Sequence, residues 1–317
     1  MNELDSLSVT SLPRVHVLLA SYNGLSWIEN QINSVLNQSG VDVEISVSDD
    51  CSNDGTLEYL EKLCELDSRI NLLSSGVKHG SAGRNFFWLI KNANLDRFDY
   101  VSFCDQDDIW DKHKLHRAIY CLNNSGAVGY SASVMAFWES GEVKLLQQSD
   151  RKMPFDYLFE GAGQGCTFVL RASILVHVQC FMSSNDNLIR DIHYHDWAIY
   201  AFVRVNCWDW YFDNVPVMRY RQHAANDTGA RSGLSSIIKR YRLIRSGWYK
   251  GQVVNIFNLC NAAKCDTLFF EPYVYFLIDP VRDFMSSLLL LIFILRKTRR
   301  RVIDRLVLAV SVCLCWI

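Results

Sequence analysis

Three short apolar runs in the first third of this 317-residue chain each stop at a polar cluster, and that pattern limits the possible folds most sharply. Residues 14–21 (RVHVLLAS) run into Tyr22-Asn23-Gly24, and residues 41–47 run into Ser48-Asp49-Asp50. Residues 100–104 run into Asp105-Gln106-Asp107-Asp108. Between them, Trp27, Ile28, Ile32, Val35 and Leu36 recur at helical spacing, residues 56–66 and 86–93 read as helices, and residues 70–73 as a strand. Such β-α-β-α-β alternation predicts an α/β fold with a mostly parallel central sheet flanked by helices. Ligands of these sheets gather beyond the carboxyl ends of the strands. A single strand ending in Asp is usually a turn or a helix cap. Three such strands predict one site.

Several classes are excluded. No Walker A pattern and no G-x-G-x-x-G is present, so P-loop and dinucleotide chemistry lack support. Lys+Arg number 32 against 34 Asp+Glu, a net charge of −2, which argues against a broad nucleic-acid-binding surface. The hydrophobic fraction of 50% supports a sizeable core rather than disorder. The 11 cysteines are scattered without any C-x-x-C, so free thiols in a reducing compartment are expected rather than disulfides or a zinc ribbon. The first 13 residues are polar and do not read as a signal peptide, which predicts a location on the cytoplasmic side of any membrane.

Further along, residues 128–137 and 167–170 read as strands around a Gly-rich bend at 161–165 (GAGQG), either a plain turn or an acceptor-side loop. Residues 191–203 form a helix candidate that opens with His193, His195, Asp196 and Trp197. Residues 216–220 lead into Arg221-Gln222-His223. The character then changes, predicting a catalytic domain at 1–230 and a basic, apolar helical extension at 231–317. Residues 235–249 place Ile237, Ile238, Tyr241, Ile244 and Trp248 on one face of a basic amphipathic helix. An apolar run at 284–295 is followed by Arg296, Lys297, Arg299, Arg300, Arg301 and Arg305, and a second apolar run closes the chain at 306–317. Twelve helical residues reach about 18 Å, short of the ~30 Å hydrocarbon core. These runs therefore predict either a surface that sits on anionic lipid or a helical hairpin packed on the domain.

Asp105-x-Asp107-Asp108 is the sharpest chemical feature. Carboxylates this close repel one another, and a loop that gathers them either holds a hard divalent cation or is a solvated acidic turn. Asp196 reads as a candidate base, with a helix N-cap as the alternative.

The segments S-Y-N-G (21–24), S-D-D-C-S-N-D-G-T (48–56), G-R-N-F (83–86) and F-C-D-Q-D-D-I-W (103–110) stand in an order and spacing that resemble the family 2 inverting glycosyltransferases, which have a GT-A type nucleotide-sugar-binding fold. H-D-W (195–197) and Y-R-Q-H (220–223) look like the bacterial rhamnosyltransferase branch of that family. The resemblance covers roughly residues 14–230. It implies that Ser21, Tyr22 and Asn23 line the nucleotide pocket and that Asp50, with Asp49 beside it, accepts the imide N–H of uracil or thymine. It puts Gly83, Arg84 and Asn85 in a loop closing over the nucleotide, Asp105 near the ribose, and Asp107 on a Mg2+ or Mn2+ ion that bridges the diphosphate. His223 is implied as a further contact to metal or diphosphate, and Asp196 as the catalytic base; Cys51 stands where the family usually has a small residue. The expected donor is dTDP-L-rhamnose or another UDP- or dTDP-sugar. The expected acceptor is a polyprenyl-diphosphate-linked saccharide of a surface polysaccharide, reached from the inner face of the cell membrane. A non-catalytic scaffold with a degenerate nucleotide site is the reading from another class.

Overall fold

The computed structural model describes residues 11–74, 76–148, 151–223, 241–264, 283–314 and 316. The first half comprises β1 (Arg14–Ser21), α1 (Ile28–Leu36), β2 (Asp42–Asp49), α2 (Thr56–Leu66), β3 (Ile70–Ser74), α3 (Ala82–Asn92) and β4 (Tyr100–Asp105). Then come β5 (Ile109–Trp110), α4 (Lys114–Ser125), β6 (Gly129–Trp138), β7 (Val143–Leu146), β8 (Val169–Arg171), α5 (Ala172–Ser184), α6 (Asp186–Ile189), α7 (His195–Val205) and β9 (Trp210–Gln222). Three further helices are α8 (Trp248–Ala263), α9 (Phe284–Lys297) and α10 (Val302–Cys313).

The strands form one sheet in the order β3-β2-β1-β4-β8-β6-β9-β5, with β7 paired to β6. The first four are mutually parallel, as the alternation predicts. β6 and β9 are also parallel, while β8, β7 and β5 run against their neighbours. Strand order reverses between β1 and β4, where an open sheet leaves a crevice at its carboxyl edge. The polar clusters after β1, β2 and β4 therefore meet there.

Both faces of the sheet are buried, which is why its strands read as continuous apolar runs. Val15, Val17 and Leu19 of β1 face a core with α1 and α4, whereas Leu18 and Ala20 face a second core with α3, α5 and α7. That second core also takes Val253, Ile256 and Phe257 of α8, Leu290, Phe293 and Ile294 of α9, and Leu308, Ala309 and Val312 of α10. The described part of the C-terminal extension thus packs on the helical face of the sheet.

Two expectations need correcting. Gly83, Arg84 and Asn85 are not in a loop: they form the first turn of α3, because the Ser81 hydroxyl caps that helix by accepting from Arg84 N at 3.3 Å. The amphipathic helix expected at 235–249 falls partly outside the described residues, and its described end is broken. The chain turns at Ser246–Gly247, Gly247 with φ of 77°, and Trp248 starts α8. Among the described residues no helix is long and apolar enough to cross a membrane.

Candidate active site

The loops after β1, β2 and β4 are laced together by side chains. Asp49 is fully buried and accepts from Ser52 N (2.8 Å) and Ser52 Oγ (2.6 Å), which closes the turn after β2. Ser52 Oγ in turn accepts from Asn23 N at 2.8 Å, and Asn53 N donates to Asn23 Oδ1 at 2.9 Å. Asn23 and Cys51 have φ of 49° and 59°, uncommon for residues with a side chain and concentrated here at the strand ends. The Gln106 amide joins β1 to β4: its Oε1 accepts from Tyr22 N at 2.7 Å and its Nε2 donates to Tyr22 O at 2.7 Å. Ser21 Oγ lies 3.2 Å from the same Oε1. Buried Asn85 reaches from α3 to donate to Ser48 O (2.9 Å) and Ser21 O (3.4 Å), tying the ends of β2 and β1. Asn85 and Asp49 therefore brace the strand ends, while Tyr22 beside them is exposed.

Asp50, buried at the end of β2, accepts from the backbone amides of His79 and Gly80, the latter at 2.8 Å. The segment before α3 thereby closes on Asp50. Burial lowers the His79 imidazole below its ordinary range, with the Asp50 charge acting in the opposite direction.

The acidic strand end receives residues from the far edge of the sheet. β5 pairs antiparallel with β9, Ile109 opposite Arg219 and Trp110 opposite Met218. Continuing that register brings Arg221 to the acidic loop, where its N donates to Asp108 Oδ1 at 3.0 Å and its Nε to Asp107 O at 2.8 Å. His223 Nε2 then meets Asp107 Oδ2 at 2.7 Å, and the imidazole stacks on Trp27 with centroids 4.4 Å apart. The two residues expected to hold a metal, 116 positions apart, are thus adjacent. Asp105, Asp108 and Cys166 form a second group, with one ligand atom from each within 4.8 Å of the others. Asp108 is fully buried, and burial pushes its carboxyl well above the usual range, with Asp107 and Asp105 adding to the effect and a Cys166 hydrogen bond acting against it. Clustered carboxyl groups from Asp105 and Asp108 with the Asp107–His223 pair in the same loop form a donor set that fits a divalent cation, since carboxylates suit Mg2+ and Mn2+. Lys114, whose electrostatic neighbours are Cys104, Cys166 and Asp108, lies over the Trp110 ring; burial draws its ammonium down to about 7.

Asp196 is in the first turn of α7, after the N-cap position, which Tyr194 occupies. Asp196 is therefore not the N-cap, but its Oδ1 accepts from Trp197 N at 2.7 Å, so its carboxylate also serves the start of the helix. His195 beside it is buried and stacks on Phe86 with centroids 4.0 Å apart, and burial lowers its pKa to about 3. The imidazole is neutral at any working pH. The bend at 161–165 packs directly on this turn: a Cβ at Gly165 would lie 3.0 Å from His195 Nε2 and 3.1 Å from Asp196 Cβ. A Cβ at Gly83 would lie 2.1 Å from His193 O, so α3 also touches the approach to α7 through a glycine. Gly165 and Cys166 are consecutive. One dipeptide thus adjoins both Asp196 and the Asp105–Asp108 group.

Gln106, Trp27, Cys166 and Lys114 are the residues that sequence reasoning misses. The first of these has a signal, because Gln106 stands inside the acidic cluster itself.

A family model described as Glycosyl transferase family 2 matches residues 16–183. The dTDP-rhamnosyl transferase RfbG of Shigella flexneri is 43% identical over 241 residues, covering 76% of this chain and 83% of that protein. UDP-Glc:alpha-D-GlcNAc-diphosphoundecaprenol beta-1,3-glucosyltransferase WfgD of Escherichia coli is 34% identical over 164 residues, 51% of this chain and 61% of its own length. Among solved structures, the mannosyltransferase PcManGT from Pyrobaculum calidifontis, in complex with GDP-Man and Mn2+, superposes with a TM-score of 0.50 at 14% identity. That match covers 89% of this chain and 79% of that one, and it is a likeness of fold.

Proposed function

Because the chain belongs to glycosyl transferase family 2, we propose that it transfers L-rhamnose from dTDP-L-rhamnose to a saccharide carried on a polyprenyl diphosphate. The anomeric configuration inverts in a single displacement. The observation that carries this reading is that Gly165 abuts Asp196 while its neighbour Cys166 lies against Asp105 and Asp108, so one dipeptide adjoins both carboxylate centres. A displacement needs both: charge neutralised on the departing diphosphate, and a proton removed from the attacking hydroxyl at the other face. The name of the 43% identical relative supports the donor, and that of the WfgD enzyme supports a lipid diphosphate acceptor.

In this reading Ser21, Tyr22, Asn23 and Asp50 receive the nucleoside, with Asp49, Gly83, Arg84 and Asn85 holding the pocket, and Asp105 faces the ribose. Asp107 and His223 hold a Mg2+ or Mn2+ ion, whose contribution when bound is to stabilise negative charge on the diphosphate. Asp196 accepts the acceptor hydroxyl proton. Neutral His195, stacked on Phe86, contributes shape and not charge.

The enzyme works at the inner face of the cell membrane. Phe284 (81% exposed), Ile303 (74%), Leu306 and Val310 present an apolar surface on the α9–α10 hairpin beside exposed Arg296 and Arg301, which suits seating at anionic lipid. The basic cluster serves this only in part, because Arg299 and Arg300 point inward.

The test is turnover by the full chain with Mn2+ or Mg2+, a panel of dTDP- and UDP-sugars, and GlcNAc-diphosphate on a short alkyl chain as acceptor. Release of dTDP from dTDP-rhamnose is the expected dominant activity; turnover confined to UDP-sugars would sink the donor assignment. Asp196→Asn is expected to lower kcat by about 10²–10⁴ with dTDP affinity retained. A rate insensitive to EDTA would overturn the role of Asp107.

A further inference from the structure

We infer that the turn between α9 and α10 positions the acceptor side of the active site, through a latch made by Arg299 and Arg300. The inference rests on Asp196 as the base.

In the sequence the basic residues of this turn read either as lipid-facing charge or as part of a hairpin packed on the domain. Two of them are built into the protein. The Arg300 side chain is buried; its Nε lies 3.1 Å from Glu160 Oε1 and one Nη donates to Gly161 O. The Arg300 backbone N also donates to Glu160 Oε1, at 2.6 Å. Arg299 lies 3.6 Å from the second Glu160 oxygen and donates to the Tyr249 hydroxyl, which donates to Phe159 O at 2.7 Å. Phe155 N donates to Lys297 O at 3.0 Å, so the end of α9 holds the same segment. From the other side, fully buried Asp156 is 3.0 Å from Arg204 Nη1 and accepts from the Tyr200 hydroxyl at 3.0 Å, both on α7. Arg300 reaches to 4.0 Å of that carboxylate. Residues 155–161 are therefore clamped between the hairpin turn and α7.

The bend next to this clamp gives it a role beyond fold stability. Gly161, held by Arg300 through its carbonyl, begins the bend that ends at Gly165. A Cβ at Gly161 would be 3.4 Å from Trp197 Cα, and Gly165 abuts His195 and Asp196. The bend meets α7 through its glycines, while on the sheet side the Ala162 carbonyl accepts from Ser131 Oγ at 2.8 Å and Gln148 Nε2 at 2.6 Å. Arg300 fixes its Gly161 end, the end that leans on Trp197 of α7. Displacing a base by about 1 Å costs on the order of 100-fold in rate. Arg299, Arg300 and Glu160 are thus positioning residues that touch no reacting atom.

Three full-length variants test this from both ends. Glu160→Gln keeps shape and one acceptor oxygen, Arg300→Lys keeps charge but loses the fork, and Gly165→Ala intrudes at the site itself. Acceptor KM and kcat are measured with dTDP-rhamnose and alkyl-diphosphate GlcNAc, beside calorimetric dTDP affinity and Tm. The expected result is a rise in acceptor KM and a fall in acceptor kcat/KM of about 10-fold or more, with dTDP affinity changed less than about 2-fold. Should Arg300→Lys fail to fold, Glu160→Gln and Gly165→Ala carry the test. Unchanged acceptor kinetics in folded Glu160→Gln and Gly165→Ala overturn the latch. So does a loss of acceptor kinetics and dTDP affinity in common proportion with Tm. Asp196→Asn in the same assay separates the two readings: if it turns over like the unmodified chain, the base assignment fails, while raised acceptor KM in the latch variants still supports the latch.

Discussion

The two halves of the sheet hold their functional side chains by different means. At the ends of β1, β2 and β4, the polar groups are fixed by short hydrogen bonds among loops that the parallel strands already bring together: Asp49 to Ser52, Asn23 to Asn53, Gln106 to Tyr22. On the Asp196 side, the supporting bend is Gly-rich; Ser131 and Gln148 hold its middle, while the Glu160–Gly161 end is tied to Arg300 of a hairpin about 140 residues away. The first half is a site made by topology. The second is a site made by docking, so its geometry depends on a distant segment staying in place.

Removing a central charge of the docked half should hurt most. Asp156→Ala leaves Arg204 and Arg300 facing each other in a buried place, and a cost of about 3–5 kcal/mol is expected by chemical denaturation. A cost under about 1 kcal/mol would break the comparison, since the clamp would then not be what holds this half. In the parallel half, Asn85→Ala leaves the Ser48 and Ser21 carbonyls short of a donor, with an expected cost of about 1–3 kcal/mol. Its kinetic effect should fall on dTDP affinity more than on acceptor KM, the reverse of the latch variants; equal effects on both would deny that the halves are separable.

The smallest effect is one of pH, and each half contains a probe. Burial lowers the pKa of His16 on β1 to about 4, with Arg97 adding to the shift, and that of His195 on α7 to about 3. Unfolded histidine takes up its proton near 6.5, so below that pH the unfolded state binds more protons and stability falls as pH falls. The loss should reach about 1.4 kcal/mol per group for each pH unit, continuing down to the folded-state values. Denaturation midpoints at pH 7 and 5.5 should show it, and His195→Phe, keeping the stack on Phe86, should remove about half of the decline.

The contrast between halves also explains how much is legible in the residues alone. The strand-helix alternation, the parallel order and the three polar strand ends are visible because each is local. Asp107 and His223 are each visible as residues, and their meeting follows from the β5–β9 pairing, a two-residue strand no periodicity marks. The residues alone leave Arg299 and Arg300 between a lipid-facing and a packed reading, because a run of basic residues has the same composition whether solvated or paired. Their partner Glu160 sits beside a Gly-rich bend that carries no charge pattern. The start of α3 escapes the sequence because Ser81 lies five residues before Phe86, where the apolar spacing begins.

If Asp50 receives the base as proposed, it does so with both oxygens already engaged by the amides of His79 and Gly80. A thymine imide arriving there exchanges one donor for another, and such an exchange returns only about 1 kcal/mol. A base with a lone pair at that position would instead set acceptor against acceptor in a buried place, at a penalty of about 1–3 kcal/mol. Asp50 would accordingly choose its nucleotide by refusing the wrong ones more than by gripping the right one, and spent dTDP could then depart without a large barrier.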